Sequence, residues 1–484
     1  MGKRRRICTA AVCAALLITV LAGCGGQGSL GAGDKEDPIT ITLWHYYNGA
    51  QQKVFNEMVQ EFNSTVGAEQ GILVEAQSYG TVNDLSSKVL DAVYEKVGAE
   101  EVPDVFASYA DTAYEINSLG KVADLAQYLT EEEQSAYVTA YLDEGRFEDD
   151  GGFKIFPIAK STEVLTVNKT EWDAFAAATG AGESAFATWE GIAALAGQYY
   201  LWTDGLTPGV AEDGKAFFGR DAFANYILVG SEQLGAGLFR VSGGKAELSV
   251  DETAMRRLWD CYYIPYINGY FSAFGKFRSD DVRTGDLAAC VGATSGATYF
   301  PTEVTRADGS TYPIEVAVYP LPNFEGTEPM AVQQGAGMVV SKSTPEREKA
   351  AVAFLKWFTQ PEQNSRFAMS SGYLPVTNAA NQSVAALKEQ SGEMSAVLYD
   401  TLTIGAEMTG EYRLYAGKAF ENGSDARVIV NTSMDEKAKK DRAAVKALMD
   451  QGISRTEAVA RYDTDENFSS WLNGFRAELK NIIK

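Results

Sequence analysis

The chain reads as an α/β protein in which a parallel sheet is covered by helices on both faces. Two observations predict this. From Ile39 to Ala107, short β-branched runs alternate with segments whose apolar residues recur at three- and four-residue spacing, the pattern of a βαβαβ unit. In addition, 45% of the 484 residues are hydrophobic and 11% aromatic, enough to bury one or two substantial cores in two or three domains.

Ile39-Thr40-Ile41-Thr42-Leu43-Trp44 alternates apolar with polar residues and is expected to be a strand. After the turn at Asn48-Gly49, Phe55, Met58, Val59 and Phe62 stripe one helix face. Ile72-Leu73-Val74 makes a second strand, Leu85, Val89 and Val93 stripe a second helix, and Val105-Phe106-Ala107 makes a third strand. In such sheets ligands bind in the crevice at the C-terminal ends of the strands. Thr130 and Glu133 have the spacing of a capping box. A strand-rich passage runs from Phe153 to Val167, and Asn168-Lys169 opens a helix reaching Phe175. Another helix begins near Thr188-Trp189, with glycine-rich turns expected around Trp202-Thr203-Asp204-Gly205. Tyr262 to Phe277 holds four tyrosines and three phenylalanines, more of them suited to core than to site. Leu287 to Val291 reads as a buried strand leading into Thr294-Ser295-Gly296. The strand Met338-Val339-Val340 precedes a helix capped by Ser343 or Thr344, with Pro345 at its first position and Pro361 interrupting it.

The N-terminus carries Lys3, Arg4, Arg5 and Arg6, then an uncharged apolar run of 16 residues from Ile7 to Ala22. A run of this length after basic residues is a secretory signal rather than a stable membrane span. Leu21-Ala22-Gly23-Cys24 resembles the bacterial lipobox, which implies cleavage before Cys24 and lipidation of its thiol. An uncleaved anchor, or an ordinary cleaved signal with Cys24 incidental, is the alternative. Residues 1–23 are then the signal and 24–37 a Gly- and Ser-containing tether. The expected protein is extracytoplasmic and held on the cell membrane by its lipid.

Formal net charge is −23, and removal of four basic residues with the signal makes it −27. Such acidity disfavours nucleic acid as a partner. His45 is the single histidine, so a histidine metal cluster or a Ser-His-Asp triad would have to be built on that one residue. No metal and no cofactor is expected. Of the five cysteines only Cys261 and Cys290 remain in the fold; they are either a disulfide or two buried singletons.

The runs ITLWHYYNGAQQKVFNEMVQEFN, PDVFASYADTAYEINSLGKVADL, PIAKSTEVLTVNKTEWDAF, QGAGMVVSKSTPEREKAAVAFLKWFTQPEQN and SSGYLPVT together resemble the family 1 extracellular solute-binding proteins of ABC importers. The nearest subgroup is the glycerol-3-phosphate-binding type, which also contains sugar binders. The resemblance implies a two-lobe periplasmic-binding-protein-like fold of type II, each lobe a mainly parallel sheet flanked by helices. Lobe 1 would comprise 38–158 plus 336–372 and lobe 2 would comprise 163–332 plus 376–484, with hinge crossovers near 158–161, 332–335 and 373–376. It further implies ligand contacts from Tyr79, Ser161, Ser295, Gly335, Tyr373 and Arg427. The subgroup has a glutamate where this chain has Ala110, and Asp111 beside it is the substitute candidate. Trp202 joins the set as a platform for a sugar face, as does Trp44.

Two classes of function follow. The first is a monomeric capture protein that clamps a small polar solute and delivers it to the transmembrane subunits of an ABC permease. A mono- or oligosaccharide is the preferred solute, with glycerol 3-phosphate or a glycerophosphodiester as the alternative. The second, remote class is a surface-anchored glycosidase, because 65 acidic residues leave room for a catalytic pair. No catalytic residue is singled out by motif.

Overall fold

The computed structural model describes residues 37–147, 152–384 and 394–483. The signal, Cys24 and the tether as far as residue 36 lie outside the described residues. Ile39–Lys484 is built on two four-stranded sheets. In the first, the order is Gly337–Val340, Val105–Ser108, Ile39–His45, Ile72–Ser78. The last three run parallel, with Ile39 opposite Ile72 and Leu43 opposite Val105. In the second, the order is Val316–Tyr319, Glu163–Asn168, Ala289–Ala293, Phe218–Arg220.

The first sheet is parallel across three strands, whereas the second has only one parallel pair, Phe218–Arg220 with Ala289–Ala293. Glu163–Asn168 is antiparallel to both its neighbours, and Gly337–Val340 is antiparallel to Val105–Ser108. The cause is where the chain enters: both strands begin at a crossover and run away from it, while their antiparallel partners run toward it. This mixed pairing refines the expectation of mainly parallel sheets.

The helical stripes lie where the spacing puts them. Phe55, Met58, Val59 and Phe62 are buried on Gly49–Ser64, and Leu85, Val89 and Val93 on Val82–Val93. Thr344, not Ser343, caps Pro345–Phe358, its hydroxyl accepting from the Arg347 N–H. The Thr130–Glu133 capping box is present. One large core collects Ile41, Leu43, Phe106, Met338 and Phe354 around the first sheet, and another collects Leu165, Val291, Trp259 and Leu258 around the second. Burial on this scale, at roughly 25 cal/mol per Å² of apolar surface, dominates the stability of each.

The glycine-rich turn expected around Trp202 is instead the last turn of the helix Trp189–Gly205. Tyr199 and Tyr200 are buried there, and their packing overrides the low helix propensity of glycine. Cys261 and Cys290 are both free and buried. Of the Tyr262–Phe277 aromatics, Tyr262, Tyr263, Tyr266 and Phe271 are core, while Phe274 and Phe277 are exposed.

Candidate functional site

The crossovers form the floor between the sheets, and backbone hydrogen bonds join them. Lys160 N–H donates to Leu374 O at 3.1 Å, and Ser161 and Gln334 exchange N–H···O bonds of 2.8 and 2.9 Å. Gly335 sits at φ 97°, and a Cβ there would lie 3.0 Å from Ala159 O, so only glycine lets the two segments approach this closely. Lys160 is 1% exposed. Its ammonium donates to Gly335 O at 2.8 Å and pairs with Glu144, which satisfies the buried charge.

Tyr46 follows directly on the strand Ile39–His45. Its hydroxyl lies 3.2 Å from that of Tyr373 and accepts from the Ala336 N–H at 3.3 Å. Tyr373 in turn hydrogen-bonds Ser295, on the turn after Ala289–Ala293. Burial pushes both phenols up, with Tyr373 adding to the effect on Tyr46 and Tyr47 adding to that on Tyr373. They stay neutral, each able to donate and accept.

The second group centres on Arg427, exposed on the helix Gly423–Met449. Its Nη2 donates to Asn225 Oδ1 at 2.6 Å, and Asn225 Nδ2 donates to Glu163 Oε1 at 2.8 Å and Gln334 Oε1 at 3.3 Å. Arg220 Nη2 grips both Glu163 oxygens at 3.1 and 2.9 Å. The Arg220–Glu163 pair therefore fixes the Asn225 amide, and Asn225 orients Arg427. Asp111 approaches from the first lobe, its Oδ1 lying where a Cβ on Gly423 would be only 2.9 Å away. Burial raises the Asp111 carboxyl to about 6, with Arg427 opposing the shift and Glu144 adding to it. Arg427 opposes the upward shift of the Tyr109 phenol in the same way.

Six of the eight candidate residues thus fall into linked groups: Ser295 with Tyr373, Ser161 with Gly335, and Asp111 with Arg427. Ser161 is buried, and its Oγ contact is Thr162 O at 3.5 Å, so its backbone rather than its hydroxyl serves the floor. Tyr79 stands apart, its hydroxyl on Glu100 at 3.1 Å and its ring 4.8 Å from Trp44, which is itself buried. Trp202 packs on Phe175 and Tyr199 within the second core, away from both groups. Sequence reasoning missed Tyr46 and Tyr109, although each is the first residue after a strand of the parallel set, where the crevice rule points. Glu163 was also legible as a carboxylate inside an apolar run. Asn225 and Gln334 carry no local signal. Among the described residues no group of three His, Cys, Asp or Glu is placed to hold a metal ion.

Two sheets joined by three crossovers, with hydroxyls, amides and one guanidinium converging from both sides, define a hinged clamp for a small polar solute. A model of bacterial extracellular solute-binding proteins matches residues 57–392, and the chain belongs to that family. No curated protein matches the chain. Among solved structures it is similar to the cyclic α-maltosyl-1,6-maltose binding protein of Arthrobacter globiformis (19% identity, TM-score 0.64, 92% of this chain and 100% of that chain). It is likewise similar to UgpB of Mycobacterium tuberculosis in complex with glycerophosphocholine (18%, 0.65, 92% and 99%). A third is an ABC substrate-binding protein of Listeria monocytogenes in complex with cycloalternan (16%, 0.64, 91% and 100%). At these identities the likeness shows the fold. No helix among the described residues is long and apolar enough to cross a membrane.

Proposed function

We propose that this protein captures a mono- or oligosaccharide between lobes of 38–158 plus 336–372 and 163–332 plus 376–484. Anchored as a monomer through lipidated Cys24, it delivers the sugar to the transmembrane subunits of an ABC permease and performs no chemistry on it. The observation that carries this reading is the run of neutral hydroxyls Tyr46, Tyr373 and Ser295, supplied from both sides of the crossovers. Neutral groups that donate and accept suit sugar hydroxyls. A phosphate at Arg427 would face the Asp111 carboxyl across the crevice, which disfavours a dianion. The saccharide ligands named for two of the similar structures support the same reading.

The second reading is a phosphorylated polyol or glycerophosphodiester, favoured by the exposed guanidinium of Arg427 and by the ligand of the UgpB structure. Calorimetry with maltose, maltotriose, glycerol 3-phosphate and glycerophosphocholine separates the two. For a sugar, Arg427→Ala should cost about 0.5–1.5 kcal/mol, or up to ~3 if the bond is charge-assisted, with little salt dependence. For a phosphate, Arg427→Ala should cost roughly 2–5 kcal/mol, and Arg427→Lys should already weaken binding because an ammonium cannot reproduce the fork. Tight glycerol 3-phosphate binding that collapses in both variants overturns the sugar reading. Glycosides incubated with the protein should be recovered unchanged; products would mean an enzyme.

A further inference from the structure

The crevice rule that points to Tyr46 and Tyr109 applies to the second sheet as well. Asp221, which is not one of the eight candidates, is the first residue after the strand Phe218–Arg220. Successive side chains of a strand leave opposite faces. Arg220 reaches Glu163 on one face. Asp221 lies on the other, where its Oδ1 accepts from the Arg278 N–H at 3.2 Å. On the same face a Cβ at Gly219 would lie 2.9 Å from Arg278 Cδ, and one at Gly292 would lie 3.8 Å from Asp221 Oδ2. Gly292 therefore places no side chain against the carboxylate. Ala222, directly after Asp221, has φ 44°, a left-handed conformation that a residue with a Cβ adopts at a cost and that clusters at binding sites.

The Asp221 carboxylate is positioned without being consumed. Arg278 commits its Nη atoms to Asp281 and to Gly275 O, and its Nε stays 3.5 Å from Asp221 Oδ1. Oδ2 receives only a 3.5 Å contact from the Arg278 N–H, and 33% of the side chain is exposed. Burial raises the carboxyl despite the opposing charge of Arg278. Acceptor positions on an ionised carboxylate thus remain for a ligand. Phe277, immediately before Arg278, is 52% exposed, and Phe274 is 68% exposed. Their loop is pinned, since Asp281 accepts from the Phe274 N–H at 3.1 Å and the Gly275 N–H at 2.6 Å. Lys276 Nζ stands over one face of the Phe277 ring at 5.3 Å.

We propose that Asp221 and Phe277 form an outer sugar subsite on the second lobe, Asp221 accepting hydroxyls of one ring and Phe277 taking that ring's C–H face on the side away from Lys276. The Arg220 side of the strand carries the Asn225–Arg427 group and the Asp221 side carries Phe277. A solute reaching both passes over the strand end and needs more than one ring, so these two residues select a disaccharide or longer over a monosaccharide. The inference rests on the sugar reading and adds the residues that set chain length.

The test is calorimetry with glucose, maltose, maltotriose and cellobiose on the wild type, Asp221→Asn, Phe277→Ser and Phe277→Tyr. At least one of the longer sugars should bind the wild type about tenfold or more tighter than glucose. Asp221→Asn and Phe277→Ser should each remove most of that gain while glucose affinity stays within about twofold, and Phe277→Tyr, which keeps the aromatic face, should retain it. Phe277 is exposed, so its variants keep the test informative if Asp221→Asn melts abnormally. Equal affinity for glucose and the longer sugars, or a gain that survives in both Asp221→Asn and Phe277→Ser, overturns the proposal and leaves the sugar reading standing. Binding of glycerophosphocholine with no binding of any sugar overturns both.

Discussion

Asp111, a proposed ligand contact, carries a stability cost. Its carboxyl titrates at about 6 in the fold, mainly through burial, against about 3.9 when unfolded. Between those values the native state holds a proton that the unfolded chain has lost, so stability falls as pH rises through the interval and the full deficit is present above about pH 6. At about 1.4 kcal/mol per unit the deficit is at most roughly 3 kcal/mol. Asp111→Asn should therefore stabilise the protein by up to about 2–3 kcal/mol near pH 7 and leave it nearly unchanged near pH 3. Denaturant melts at both values read this directly; an equal gain at both would mean that charge is not the cause. Sugar affinity in the wild type should strengthen as the carboxyl ionises above about 6. The residue itself was legible as the acid next to Ala110. Its raised titration was not, because the helix Gly423–Met449 that packs beside it is distant in sequence.

At the scale of elements, the crossovers are tied to one another by backbone hydrogen bonds. Gly335→Ala would force a Cβ into φ 97° and to 3.0 Å from Ala159 O. Backbone strain of this kind costs of order 1–3 kcal/mol. The variant should melt lower by that amount and bind solute more weakly, as thermal unfolding and calorimetry would show. A neutral effect on both would mean the hinge relaxes freely. The helices around Phe55 and Leu85 could be read from sequence because their spacing is a local property. The antiparallel entry of Gly337–Val340 beside Val105–Ser108 could not, since direction is set by where a crossover delivers the chain. Trp202 was misread for a related reason: its helix continues past where glycines suggest a stop because aromatic packing holds it.

For the whole molecule, the two lobes touch beyond the crossovers. Gln51 Nε2 donates to Ser295 O at 3.5 Å, Tyr299 OH donates to Asn48 Oδ1 at 3.5 Å, and Asp111 abuts Gly423. Hinge opening needs only small rotations at the crossovers while both sheets stay rigid. Small-angle scattering should give a larger radius of gyration without ligand than at saturation. Identical curves at proven saturation would contradict a closing clamp.

The buried thiols lead to a practical outcome. Cys261 and Cys290 are both free and enclosed, and burial pushes the Cys261 thiol up to about 12 and Cys290 higher still. Alkylating dyes need an accessible thiolate, so a secreted form starting at Ser29 offers them nothing to react with. A lone cysteine introduced at exposed Tyr299, opposite Asn48, would then be the sole labelling point, and an environment-sensitive fluorophore placed there turns the molecule into an optical sensor for its own solute.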